Sequence, residues 1–291
     1  MSEAIKFDEV LYDSLESLSL PDVYIRLREV MESDNASMAD AAEVLSLDPA
    51  LAARILRMAN SAFYGFRSEV DTISRAANIL GMQKIHDLVL AASVSQTFEG
   101  MTNELMDIDT FWYRSVHCAF LTQAIAEGAG MRNTESLFVR GLLHDIGHLV
   151  LFNHYPAECR HAMAHSDEGL DARLYEEQKL IGVDAMQFAA ELARVWQLPK
   201  SFVDSFQHLT RPEDVAGALA REIAVLHIAV QISSGVDTDL LLEDVVQRIR
   251  PPIWRIAELP PEVGAAALDA STMEMVDAMY LVLTQHDAMM P

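Results

Sequence analysis

Apolar residues recur at helical spacing along nearly the whole of this chain, and no stretch shows the two-residue alternation of a half-buried strand. That feature sets aside sandwiches, barrels and α/β layers and leaves a fold of packed helices. Punctuation agrees, since 12 Gly and 10 Pro in 291 residues are too few for a turn-rich β architecture. With 51% hydrophobic residues a large core can be buried. The expected fold class is all-α.

The start and stop signals divide the chain. After Leu20 and Pro21, helices are predicted over 22–32 and 38–46. Asp48 caps the next helix and Pro49 takes its first position, where a missing N–H costs nothing. Leu51, Ile55, Leu56 and Ala59 form its apolar stripe and Gly65 ends it. Thr72 caps a helix over 73–80, and Gly81 parts it from one over 84–98. A polar segment at 99–106 marks the expected boundary. Longer helices follow over 111–130, 134–155, about 170–199, 201–209 and 221–235. Then come a helix near 244–249, a break at Pro251 and Pro252, and a last helix over 270–285. The expected division is an N-terminal helical part (1–100), a helical core (101–235) and a C-terminal tail (236–291).

Charge narrows the partners. Asp and Glu number 44 against 21 scattered Lys and Arg, a formal charge of −23. Such a surface repels nucleic-acid phosphates and anionic lipid, so neither is an expected partner. The apolar block 223–230 is far shorter than a membrane span, and MSEAIKFDEV lacks the apolar core of a signal peptide. Cys118 and Cys159 have no CxxC spacing and read as reduced, buried thiols. A cytoplasmic location is expected.

The chemistry concentrates in GLLHDIGHLVLF, residues 141–152. On one continuous helix His144 and Asp145 point about 100° apart, and His148 shares a face with His144. A His-Asp doublet opens the metal site of one group of phosphohydrolases. A core histidine steadied by an aspartate has the same sequence, and that is the reading favoured here. HAMAH (161–165), followed by Asp167 and Glu168, repeats the four-residue His spacing and reads as a solvated helix with incidental chelating power. Phe111, Trp112 and Tyr113 read as core packing rather than a base-stacking platform. The C-terminal methionines (Met273, Met275, Met279, Met289, Met290) read as gap-filling more than as a partner surface. No phosphate-cradling glycine loop, GxSxG or HExxH occurs.

Taken in order, SLP (19–21), LDPALAARILRMANSAFYG (47–65), TISRAANILGM (72–82), FW with RS (111–115), GLLHDIGHLVL, WQLP (196–199) and His208 resemble the HDOD family, named for an HD-related output domain. The resemblance spans about 18–235 and is most specific in its second piece, with Asp48, Pro49, Asn60 and Ser61 beside Leu20 and Pro21 of the first. It implies a multi-helix HD-like bundle with an N-terminal helical subdomain. It also implies a bacterial, non-catalytic signalling module that acts through protein partners and lacks part of the HD metal set.

Carried over position by position, the doublet His144 and Asp145 is kept and the family's His pair survives only as His208. Three ligand positions fall on Arg114, Ala185 and Val230, none of which ligates a cation. His117, one turn after Arg114, is the rescue candidate, and Asp184 neighbours the lost ligand at Ala185. Arg114 is expected to take the cation's place and pair with Asp145. No cofactor is expected. Two alternatives stay open: a sensor that binds a nucleotide in the relic pocket with Arg114 as its anion contact, and a metal-dependent phosphohydrolase repaired by His117 or Asp184.

Overall fold

The computed structural model describes residues 9–33, 37–60, 70–98, 101, 104–132, 134–165, 169–237, 241–268 and 271. The described residues form α-helices with one 3₁₀ turn and no strand. They fall into two compact units.

One unit holds α2 (Asp22–Glu32), α3 (Met38–Ser46), α4 (Pro49–Ala59), α5 (Ile73–Leu80) and α6 (Met82–Thr97). Helices α3, α4 and α5 begin where side chains satisfy free N–H groups. Ser37 accepts from Asp40 N while Asp40 accepts from Ser37 N, closing a capping box on α3. Asp48 accepts from Leu51 N at 3.0 Å and starts α4 at Pro49. Thr72 accepts from Arg75 N and starts α5, and Gly81 ends it in the left-handed region at φ 86°. Leu51 and Ile55 are buried, as their stripe requires. Asn60 ties backbone to backbone. Its amide donates to Leu56 O and Val70 O and accepts from Val70 N, so one side chain fixes backbone ten residues on. Inside the unit Tyr24 Oη meets His86 Nε2 at 3.1 Å and His86 Nδ1 meets Asp87 at 3.1 Å. Burial pushes the Tyr24 hydroxyl up to about 12.

The other unit holds α1 (Glu9–Ser17), α7 (Ile108–Gly128), α8 (Thr134–Leu143), α9 (Ile146–His154), α10 (Pro156–Met163), α11 (Leu170–Ile181), α12 (Ala185–Val195), α13 (Lys200–Gln207), the 3₁₀ turn Pro212–Asp214, α14 (Ala218–Asp237), α15 (Leu242–Arg248) and α16 (Pro251–Ala257). Helix α7 packs against α8 and α14, and α9 against α12. Helices covered on several sides are apolar nearly all round, and α7 is buried without interruption from Ser115 to Thr122, while Tyr113 near its start is exposed. Two glycines permit the closest approaches. A Cβ on Gly141 would stand 2.7 Å from Thr122 Oγ1 and 2.9 Å from Ala119 Cα, and one on Gly147 would stand 2.0 Å from the Ala185 carbonyl oxygen. Trp196 of WQLP donates its indole N–H to Leu18 O at 2.7 Å.

Three expectations change. The helix read across 134–155 breaks at His144 and Asp145, which form a turn between α8 and α9. The segment from 170 divides at Gly182, left-handed at φ 90°, into α11 and α12. Pro251 opens α16 instead of only ending its predecessor. Ser61, Gly65, Asp167, Glu168, the C-terminal methionines and nearly all of the last expected helix lie outside the described residues.

Candidate functional site: a buried charge cluster at the His-Asp turn

Because the chain turns at His144 and Asp145, the shared-face argument for His144 and His148 lapses. Each side chain finds separate partners. His144 is buried and donates Nδ1–H to Gly141 O at 2.7 Å. Burial disfavours its charged form, but Cys118, which hydrogen-bonds the ring, together with Asp145 and the Gly141 carbonyl, lifts it to about 9.

His148, on the first turn of α9, is the centre of the cluster. Its ring is fully buried and stacks on Phe152 with centroids 5.1 Å apart. Nδ1–H donates to Asp145 and Nε2–H to Glu177 at 2.8 Å. A ring with a carboxylate at each nitrogen carries both protons, so His148 is an imidazolium. Burial and Arg173 oppose that charge, and Asp145 and Glu177 outweigh them and raise its pKa. Glu177, on α11, is completely buried. Its second oxygen accepts from Ala185 N at 3.1 Å, and its first also accepts from Arg173 Nε at 3.1 Å. Burial would raise the Glu177 carboxyl, but His148, Arg173 and the Ala185 N–H hold it low. The Arg173 guanidinium lies 5.5 Å from the centre of the Phe152 ring. Asp145 is likewise held well below the usual carboxylate range: burial opposes this, and His148, His144 and Arg173 prevail.

His148 and Arg173 therefore face the two carboxylates through direct contacts, with His144 adding positive charge beside Asp145. Isolated charges could not be buried there, whereas a paired set can be, and in this one the buried Arg173 Nη2 is left without a hydrogen-bond partner. Asp184 stands at the edge, capping α12 through Gln187 N at 2.8 Å. Burial and the nearby Glu177 push its carboxyl up to about 6, against the hydrogen bonds it accepts.

The expected pairing of Arg114 with Asp145 is replaced. Asp145 takes the His148 N–H, and the guanidinium acting on it belongs to Arg173 of α11 rather than Arg114 of α7. Arg114 is part-exposed on α7. His117 is buried and spends Nδ1 on Ser233 Oγ of α14 at 3.2 Å, and burial lowers its pKa. His208 is the part-exposed C-cap of α13, and Val230 is buried in α14. Ala185 contributes backbone only: its N–H reaches Glu177 and its carbonyl lies against Gly147. Among the described residues no three His, Cys, Asp or Glu side chains converge as a preformed metal site.

The sequence reading missed Glu177 and Arg173, although Glu177 continues the apolar phase of Leu170, Leu174 and Ile181, a position that buries whatever occupies it. It missed Arg140 for the same reason. That side chain is 2% exposed in α8, where it pairs with Glu222 at 2.8 Å and donates to Ser205 at 3.0 Å.

A family model for the HDOD domain matches residues 18–212. The chain belongs to the HDOD family. A crystal structure from Shewanella amazonensis, named there as a candidate phosphohydrolase, is 28% identical, with a TM-score of 0.72 over 94% of this chain and 98% of that one. An HDOD domain protein of unknown function from Geobacter sulfurreducens is 20% identical, with a TM-score of 0.74 over 94% and 97%. A candidate signal transduction protein from Marinobacter aquaeolei is 20% identical, with a TM-score of 0.71 over 96% of this chain and 62% of that one. An uncharacterized Treponema pallidum protein is 20% identical over 190 residues, and this chain spans 36% of its length. Among the described residues no helix is long and apolar enough to cross a membrane.

Proposed function

We propose that this chain is a non-catalytic signalling module that works through protein partners, and that its HD metal site has been converted into a closed set of internal ion pairs. The observation that carries this reading is His148, which gives one N–H to Asp145 and the other to Glu177. A catalytic metal would need Asp145 free, and further ligands where Arg114, Ala185 and Val230 stand. The residues at the turn do not fit such an ion, because His148 and Arg173 already supply the positive charge. A phosphohydrolase also needs a centre that makes hydroxide at neutral pH and polarises the phosphoryl oxygen. Asp145, His148 and Glu177 are committed to one another and serve neither purpose. The candidate signal transduction protein among the similar folds is consistent with a regulatory role. The acidic surface favours neutral or basic protein partners, and the helices between residues 18 and 98 are the part proposed to meet them.

The test is metal content and phosphodiesterase activity of untagged protein, compared with His144→Ala. We expect no metal that depends on His144, and no hydrolysis of bis-p-nitrophenyl phosphate or cyclic dinucleotides above the His144→Ala background. About one equivalent of iron, manganese or zinc lost together with activity in His144→Ala would overturn the reading and restore the phosphohydrolase.

A further inference from the structure

Helices α2 and α3 pack against each other, and a groove of about 220 Å³ opens between the start of α2, the end of α3 and the cap of α4. Val23, Val44 and Leu47 give it an apolar lining, and Asp22, Arg26 and Asp48 give it charge. Leu47, the C-cap of α3, is 63% exposed, although Leu45 before it and Leu51 after it are buried. A single exposed leucine is ordinary, but this one shares a concave surface with two half-buried valines. Asp22 and Arg26 stand one turn apart on α2, acid first, the order that favours an ion pair along a helix. They form none: among the described residues neither side chain takes an ion-pair or hydrogen-bond partner. Both line the groove instead. The space is smaller than the about 300–1,000 Å³ that encloses a drug-sized molecule, so it suits one anchoring side chain rather than a nucleotide.

We propose that this groove is the docking point for a segment of a partner protein that carries an apolar anchor residue flanked by basic residues, with one acidic residue beside them. Docking there rests on the chain being a module that works through protein partners, and it specifies the chemistry of the partner. The anchor fills the space beside Val23 and Val44 and covers Leu47, which gains the most by leaving water. Basic residues answer the carboxylates of Asp22 and Asp48, and the acidic residue answers Arg26. Asp48 keeps one carboxylate oxygen on Leu51 N at 3.0 Å, so its charge is held in place before the partner arrives. An apolar anchor inside a ring of complementary charge is the usual arrangement of an energetic hot spot at a protein interface. The formal charge of −23 draws a segment with surplus basic residues toward the chain and disfavours an acidic one.

The experiment is selection from a phage-displayed library of random dodecapeptides on the immobilised full chain, followed by fluorescence anisotropy with the enriched peptides. We expect those peptides to share an apolar residue flanked by Lys or Arg, with an acidic residue nearby. Leu47→Ser should weaken them about tenfold or more, the worth of burying one leucine. Arg26→Glu should weaken them as well, and a selection repeated on that variant should put a basic residue where the acidic one was. Leu47 and Arg26 are both exposed, and circular dichroism checks that each variant folds. Peptides that bind Leu47→Ser and Arg26→Glu as tightly as the parent overturn the groove and leave partner binding to another surface. A library that yields no enriched peptide overturns it too. A free chain that sediments as a dimer, separated by Leu47→Ser, overturns the partner segment, because a second copy then fills the groove. Metal and hydrolysis that depend on His144 would overturn the non-catalytic reading whether or not peptides bind, so the two failures are told apart.

Discussion

At His148 one ring is shared between two carboxylates, and each carboxylate depends on it. Glu177→Gln keeps the shape and removes one charge, leaving His148 and Arg173 facing Asp145 alone. Stripping one partner from a buried ionic set costs about 3–5 kcal/mol, whereas replacing the whole set with apolar residues is often neutral. The expected outcome is a clear fall in the urea midpoint of Glu177→Gln at pH 7, recovered in part when Asp145, His148 and Arg173 are replaced by Leu as well. A Gln variant as stable as the parent would show that the cluster adds nothing to the fold. Gly147→Ala tests packing on the other side of the same turn. Helix propensity favours alanine by about 1 kcal/mol, but its Cβ would stand 2.0 Å from a backbone oxygen that no rotamer change can move. The clash should win, with a net loss of about 2 kcal/mol or more, measured by thermal unfolding. The doublet was plain in the sequence and its partners were not. Adjacency shows in a string of letters, but the reach of Glu177 across from α11 depends on how three helices pack.

Helix boundaries were legible where one residue marks them locally: α3 and α5 start at the side-chain caps Ser37 and Thr72, α2 starts directly after Pro21, and Gly81 ends α5 through its backbone. The break between α8 and α9 was not legible, because GLLHDIGHLVLF is buried on nearly every side and carries no polar face to change phase. Helix α12 makes its own prediction through its cap. Asp184 titrates near 6 in the folded chain against an ordinary value of 3.8. The folded state therefore binds more protons than the unfolded state between about pH 4 and 6, and this group's contribution to stability falls as pH rises through that window. Asp184→Asn keeps an oxygen to accept from Gln187 N and never ionises. The two proteins should have similar denaturation midpoints near pH 4, with the Asn variant gaining on the parent up to pH 7. A difference independent of pH would mean that the carboxyl has no raised pKa.

The largest electrostatic feature is the imbalance itself: 44 acidic against 21 basic residues leaves 23 uncompensated negative charges. Local pairing does little to offset it. The surface pairs Arg28–Glu32, Lys200–Asp204 and Arg250–Glu213, each with at least one well-exposed partner, are worth about 0–1 kcal/mol apiece and weaken in salt. The buried pairs at His148 and Arg140 are shielded from ions and should be nearly indifferent to them. Self-repulsion acts over the whole surface and destabilises the compact state, and its range shrinks from about 30 Å at 0.01 M salt to about 3 Å at 1 M. Two salt effects thus oppose each other, and the surplus of one sign decides between them. The melting temperature should rise as sodium chloride goes from about 0.02 M to 0.5 M, and most of the gain should come at the low end, where the screening length changes fastest. A steady linear rise would point to salt exclusion from the surface instead of screening. A fall would mean that specific surface pairs outweigh the net charge.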